Sequence, residues 1–132
     1  MLYTMTNDEL QEYIETQKQL EAFYEKLVCI YHGGKFSQSH ITALSKTFPQ
    51  YQFKLIDRKT SEFTDNKGNF HPSVLTHIKL VAIDNTQKFV SIEQSMQSIA
   101  MGIDGTQKLI YGLLEAVKFR LYQANNRMNN VG

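Results

Sequence analysis

The chain has 132 residues, 42% hydrophobic and 20% charged, with a formal net charge of +1. That length suits one domain with one core, the composition excludes wholesale disorder, and no apolar run is long enough to cross a bilayer. Cys29 is the only cysteine, so no intrachain disulfide can form; with no signal-peptide pattern in MLYTMTNDEL, a reducing, cytoplasmic setting is expected.

The small net charge hides an asymmetry. Residues 1–31 hold six acids and two bases, and residues 32–132 hold seven acids and twelve bases, so the two parts carry −4 and +5. An acidic helix beside a basic body (about 37–124) suits self-association or an anionic partner, although spread charge also describes an ordinary solvated surface.

In chain order, Thr6-Asn7-Asp8-Glu9 has the form of a capping box. Leu10, Tyr13, Gln17, Leu20, Tyr24, Leu27 and Tyr31 then recur every three or four residues, with Ile14, Phe23 and Ile30 widening the stripe. The spacing predicts a helix over about 7–31, stopped by His32-Gly33-Gly34. Gln17 breaks its heptad pattern. A helix of this length exceeds what a small sheet needs for cover. Leu20, Phe23, Tyr24 and Leu27 are therefore expected to form an interface in a homo-oligomer. Cys29, between Val28 and Ile30, is expected to be a buried core thiol.

A shorter helix is expected over 37–46, with Ile41 and Leu44 inward and Phe48-Pro49 ending it. Strands follow at 51–57, 74–83 and about 88–94, the last extending towards Ala100. Thr64 to Asn69 and Asp84 to Gln87 are the turns. VLTHIKLVAI is apolar on both faces and reads as the central strand, with Thr76, Ile78, Leu80 and Ala82 on one side. Gly102 to Tyr122 reads as a turn followed by a long amphipathic helix, capped by Asp104 or Thr106, with residues 125–132 frayed. Its apolar face is Ile110, Leu113, Leu114, Val117 and Leu121; the opposite stripe is Lys108, Tyr111, Glu115, Lys118 and Tyr122. The fold class is therefore α+β: a single domain with a long N-terminal helix, a short helix, a three-stranded antiparallel sheet and a C-terminal amphipathic helix.

Catalytic signatures are weak. Cys29 and His32 have ligand spacing, and His71 and His77 are further imidazoles, but one thiolate spread over distant segments does not make a metal centre. No phosphate loop occurs, and Gly102-Ile103-Asp104-Gly105 reads as a turn before a helix. No catalytic residue, metal or cofactor is expected. A nucleic-acid interface fits the composition better. Lys54, Arg58, Lys59, Lys79, Lys88, Lys108, Lys118 and Arg120 are interleaved with Tyr51, Phe53, Phe63, Phe70 and Phe89, the mixture that grips single strands by charge and stacking. The alternative role for these aromatics is to fill the core.

Three segments carry a family resemblance. ALSKTFPQYQFKLID resembles the short helix, proline and first strand of phage single-strand annealing proteins of the Erf- and Sak-like group. VLTHIKLVAIDNTQKFVSIEQ resembles their following hairpin. GIDGTQKLIYGLLEAVKFRL is similar to their Gly- and Asp-containing loop and basic-faced helix. The resemblance covers about 43–122 and implies that Lys108 and Lys118 lie near DNA. The long acidic first helix and the reduced basic set of the last helix depart from that pattern.

The resulting expectation is a non-enzymatic, phage-type protein that binds single-stranded nucleic acid in annealing or recombination. Lys79, Lys108, Tyr111, Lys118 and Arg120 are its contact residues. The alternative is a small protein-binding module, such as a phage-encoded inhibitor of a host defence nuclease. Both place the chain in the host cytoplasm.

Overall fold

Thr6 starts the first helix: its hydroxyl oxygen accepts the Glu9 amide at 3.2 Å, and the helix α1 runs Asn7–Ile30. Its end is made by Tyr31, whose amide reaches Leu27 O at 2.8 Å, followed by Gly33 and Gly34 at φ of 99° and 83°. The computed structural model describes residues 4–60, 63–64, 66–71, 75–95 and 105–129, giving only the backbone at 58–60, 63, 70, 71, 75, 76 and 95.

The second helix, α2 (Gln38–Thr47), opens at Ser37, whose amide donates to His40 Nδ1 at 3.0 Å. Phe48 leaves the helical region at φ −126° and ψ 73°, as the proline at 49 requires. Three long strands follow: β1 (Tyr51–Thr60), β4 (Leu75–Asp84) and β5 (Gln87–Ser95), antiparallel in the order β1-β4-β5. Between β1 and β4, β2 (Phe63–Thr64) and β3 (Phe70–His71) pair as a short hairpin around Asn66, Lys67 and Gly68. The last helix, α3, runs Thr106–Asn129. The architecture is thus α+β, with β4 central as its two apolar faces require.

By internal contacts the chain divides into a helical unit, Met1–His32 with Gln107–Gly132, and a sheet unit, Gly33–Thr106. In the sheet unit Phe53, Ala82 and Val90 line up across the strands, as do Leu55, Leu80 and Ile92. Phe53, Ile78, Leu80, Ala82 and Ile92 are buried, and α2, with Ile41 and Leu44 buried, packs against β1. A β-bulge sits between Ala82 and Ile83, which pair with Val90 and Lys88. The extra residue, Phe89, turns its ring onto Tyr51, with centroids 4.7 Å apart and planes at 12°. In the helical unit the buried stripe of α1 is Leu10, Ile14, Gln17, Phe23, Tyr24 and Leu27, and that of α3 is Ile110, Leu114, Val117, Leu121 and Ala124.

Three expectations are corrected in detail. β1 continues to Thr60, beyond the expected end at Asp57. Residues 125–129, expected to fray, remain helical, and Ala124 beside them is fully buried. Cys29 is exposed. On a helix it lies about 200° around from Leu27, so its neighbours in sequence, Val28 and Ile30, say nothing of its face. Gln17 is buried with the rest of the stripe, where its spacing placed it. The proposed cap Asp104 and the extension of β5 past Ser95 lie outside the described residues.

Candidate contact surface on the last helix

Helical periodicity sets the geometry of α3. Burying Ile110, Leu114, Val117, Leu121 and Ala124 forces Lys108, Tyr111, Glu115, Lys118 and Tyr122 to the opposite side. Lys108, Glu115 and Lys118 are exposed, and Phe119 joins them from the same side. Tyr111, Phe119 and Tyr122 expose 48%, 61% and 65% of their surface. Leaving such rings in water forgoes the ~1.5–3 kcal/mol that full burial of a large apolar side chain contributes. Three of them on one face, with both signs of charge, make this the outstanding contact surface among the described residues.

Arg120 behaves differently from its lysine neighbours. It sits on the flank of the apolar face, half-buried, and donates its Nε–H to Gln17 Oε1 at 2.8 Å. The guanidinium therefore links α3 to α1 within the helical unit. Burial pushes the Tyr24 hydroxyl above the usual tyrosine pKa, and the Arg120 charge opposes that rise.

Lys79 belongs to the sheet unit, whereas the stripe belongs to the helical unit. It lies on the face of β4 shared by His77 and Val81, 3.8 Å from Glu93 Oε2, while His77 Nδ1 lies 3.4 Å from the other oxygen of the same carboxylate. Lys54, opposite Val81, and Lys88, opposite Ile83, are exposed further along the same face of the sheet. Among the described residues no exposed Phe or Tyr accompanies these lysines: Tyr51 and Phe53 are buried, and Phe89 is half-buried and stacked on Tyr51. The side chains of Phe63, Phe70, Arg58, Lys59 and His71 lie outside the description. Among the described residues of the sheet, basic and aromatic side chains that alternate in sequence thus take opposite faces, Tyr51 and Phe53 on one and Lys54 and Lys79 on the other.

The residues expected at an oligomer interface lie mostly inside the protomer. Phe23 and Leu27 are fully buried and Tyr24 nearly so; Leu20 keeps partial exposure. Side chains already covered within one chain have little surface left to bury against another.

A polar clamp that the periodicity reading missed orders the sheet unit. Gln94 is 1% exposed. Its Oε1 accepts the Phe36 amide at 2.8 Å, and its Nε2 donates to Gly34 O at 3.0 Å and Thr106 Oγ1 at 3.2 Å. The backbone donor and acceptor dictate the orientation of the amide. The single signal in the sequence was a glutamine at an inward position, after Val90 and Ile92.

Beside this clamp a cleft of about 380 Å³ is lined by Lys35, Phe36, Ser37, Gln38, Leu55, Asp57 and Ile78. Among the described residues no three His, Cys, Asp or Glu side chains are grouped to hold a metal ion. Nor is any helix among them long and apolar enough to cross a membrane. Compared with protein-family models, curated proteins and solved structures, the chain matches none.

Proposed function

We propose that the chain is a non-enzymatic binding protein that engages a protein partner through the outer face of α3. The exposure of Tyr111, Phe119 and Tyr122 on one stripe carries this reading. Aromatic residues are enriched in protein interfaces, where they act as anchors. The charges around them are mixed, Lys108 and Lys118 flanking Glu115, which suits a protein surface of mixed charge. The grouping of α3 with α1 supports the same reading. The helical unit holds seven acids and six bases, and the sheet unit six acids and eight bases, so neither keeps the asymmetry seen along the chain. A nearly neutral unit has little long-range pull on a polyanion.

Capture from cell lysate by wild type and by a Tyr111→Ser, Phe119→Ser, Tyr122→Ser variant tests this. Retention of one protein that resists nuclease and salt, and is lost in the variant, is expected. Retention unchanged by the variant contradicts it.

Single-stranded nucleic acid is the second reading, favoured by two exposed lysines on the same stripe as three exposed rings. It requires binding to single strands that weakens with salt. Changing Lys108 and Lys118 to Gln must then lower the salt slope by about two.

A further inference from the structure

The outer stripe of α3 is self-complementary when read against itself in the opposite direction. Lys108 and Asn125, Tyr111 and Tyr122, and Glu115 and Lys118 are three pairs centred on one point, between Ala116 and Val117. All six side chains are exposed. Two copies of α3 laid antiparallel about a two-fold axis through that point bring Glu115 of each chain against Lys118 of the other. The same axis sets Tyr111 against Tyr122 twice and brings Lys108 level with Asn125 at the two edges of the seam. A two-fold contact uses one patch on both subunits, so every favourable pair occurs in duplicate.

Gly112 supplies a separate observation. It stands in the interior of α3, on the exposed side, where a Cβ would meet nothing within 4 Å. Glycine inside a helix costs about 1 kcal/mol relative to alanine, and no neighbour within 4 Å among the described residues needs its small size. The antiparallel arrangement puts Gly112 close to Phe119 of the second copy, about 3 Å of helix rise from direct opposition. The missing side chain leaves room for that ring.

We infer that this face of α3 is a homodimer interface, its occupant a second copy of the same chain in antiparallel register. The inference deepens the protein-contact reading and rests on it. The pairing of opposite charges across the axis is what selects a copy of this chain over an unrelated partner.

Charge reversal tests the register. Sedimentation equilibrium is run on wild type, Glu115→Lys, Lys118→Glu and an equimolar mixture of the two variants, with circular dichroism to check folding. Wild type is expected to dimerise. Each single reversal sets like charges face to face twice and should raise the dimer dissociation constant about tenfold or more. The mixture restores opposite charges in the heterodimer and should return to near the wild-type constant. A wild-type monomer at high micromolar concentration overturns the inference. So do reversals without effect, or a mixture no tighter than its components. These failures leave another protein as the partner of the face. Binding of single-stranded DNA that Glu115→Lys strengthens overturns instead the protein-contact reading beneath it, because that change adds positive charge among the rings.

Discussion

Arg120 and Gln17 explain each other: the guanidinium Nε of one donates to the side-chain oxygen of the other at 2.8 Å, across 103 positions of sequence. Each alone invites a misreading. Gln17 looks like a flaw in an apolar stripe, and Arg120 like a cation held out for an anion. Together they form a polar link between α1 and α3, with the charge partly withdrawn from water.

Arg120→Ala is therefore expected to destabilise the fold by about 1–2 kcal/mol, since a hydrogen bond to a charged group is lost and Gln17 is left buried without it. Urea unfolding measures this. Combined with Gln17→Ala, the effect should be less than additive by about 0.5 kcal/mol or more, as for residues in contact. Full additivity would falsify the link.

Gln94→Leu removes three hydrogen-bond partners at once. It takes the buried side-chain acceptor from the Phe36 amide and the part-buried donor from the Gly34 carbonyl. A loss of roughly 2–4 kcal/mol is expected, above what the volume change would cause. Amide exchange at Phe36 should accelerate well before global unfolding. Protection at Phe36 equal to wild type contradicts the clamp.

The comparison of sequence and structure turns on where periodicity speaks. It identified α1, α2, α3 and all three long strands, because each buries one repeating face. It also picked out the central strand from its apolar faces, and the outer stripe of α3 with Lys108, Tyr111, Lys118 and Tyr122. It did not reach what depends on tertiary partners. The bulge that turns Phe89 onto Tyr51, the clamp at Gln94 and the link from Arg120 to Gln17 join residues with no fixed sequence offset. Cys29 shows a simpler error, in which adjacency along the chain stood in for adjacency on a helix. The grouping of charges changed for the same reason, since α3 joins the helix that the sequence placed apart from it.

Tyr24 and Tyr51 predict an alkaline limit to stability. Burial raises both hydroxyls above the ordinary value of 10.0, with the Asp84 carboxylate adding to the rise at Tyr51. A raised folded pKa keeps the native tyrosine neutral while the unfolded one ionises. The contribution is whole below about pH 10 and is lost as pH rises through the folded values. Unfolding free energy should therefore be insensitive to these groups at neutral pH and decline above about 10, less steeply in Tyr24→Phe. An identical alkaline decline in that variant argues against a role for Tyr24.

Cys29 should react with a thiol reagent in the native protein nearly as fast as in the unfolded chain, because its side of α1 faces solvent. Its modification should leave the thermal midpoint almost unchanged, as for other exposed sites. Slow, unfolding-limited labelling contradicts the exposed placement.

The most direct test of the account places a fluorine on the ring of Phe119 and follows its resonance in two titrations, one with the protein itself and one with a single-stranded oligonucleotide at low salt. Phe119 is 61% exposed in the single chain, so any partner of α3 must change its surroundings. The account predicts a shift that grows with protein concentration and none on adding oligonucleotide. A resonance indifferent to protein concentration that moves with the oligonucleotide would contradict it.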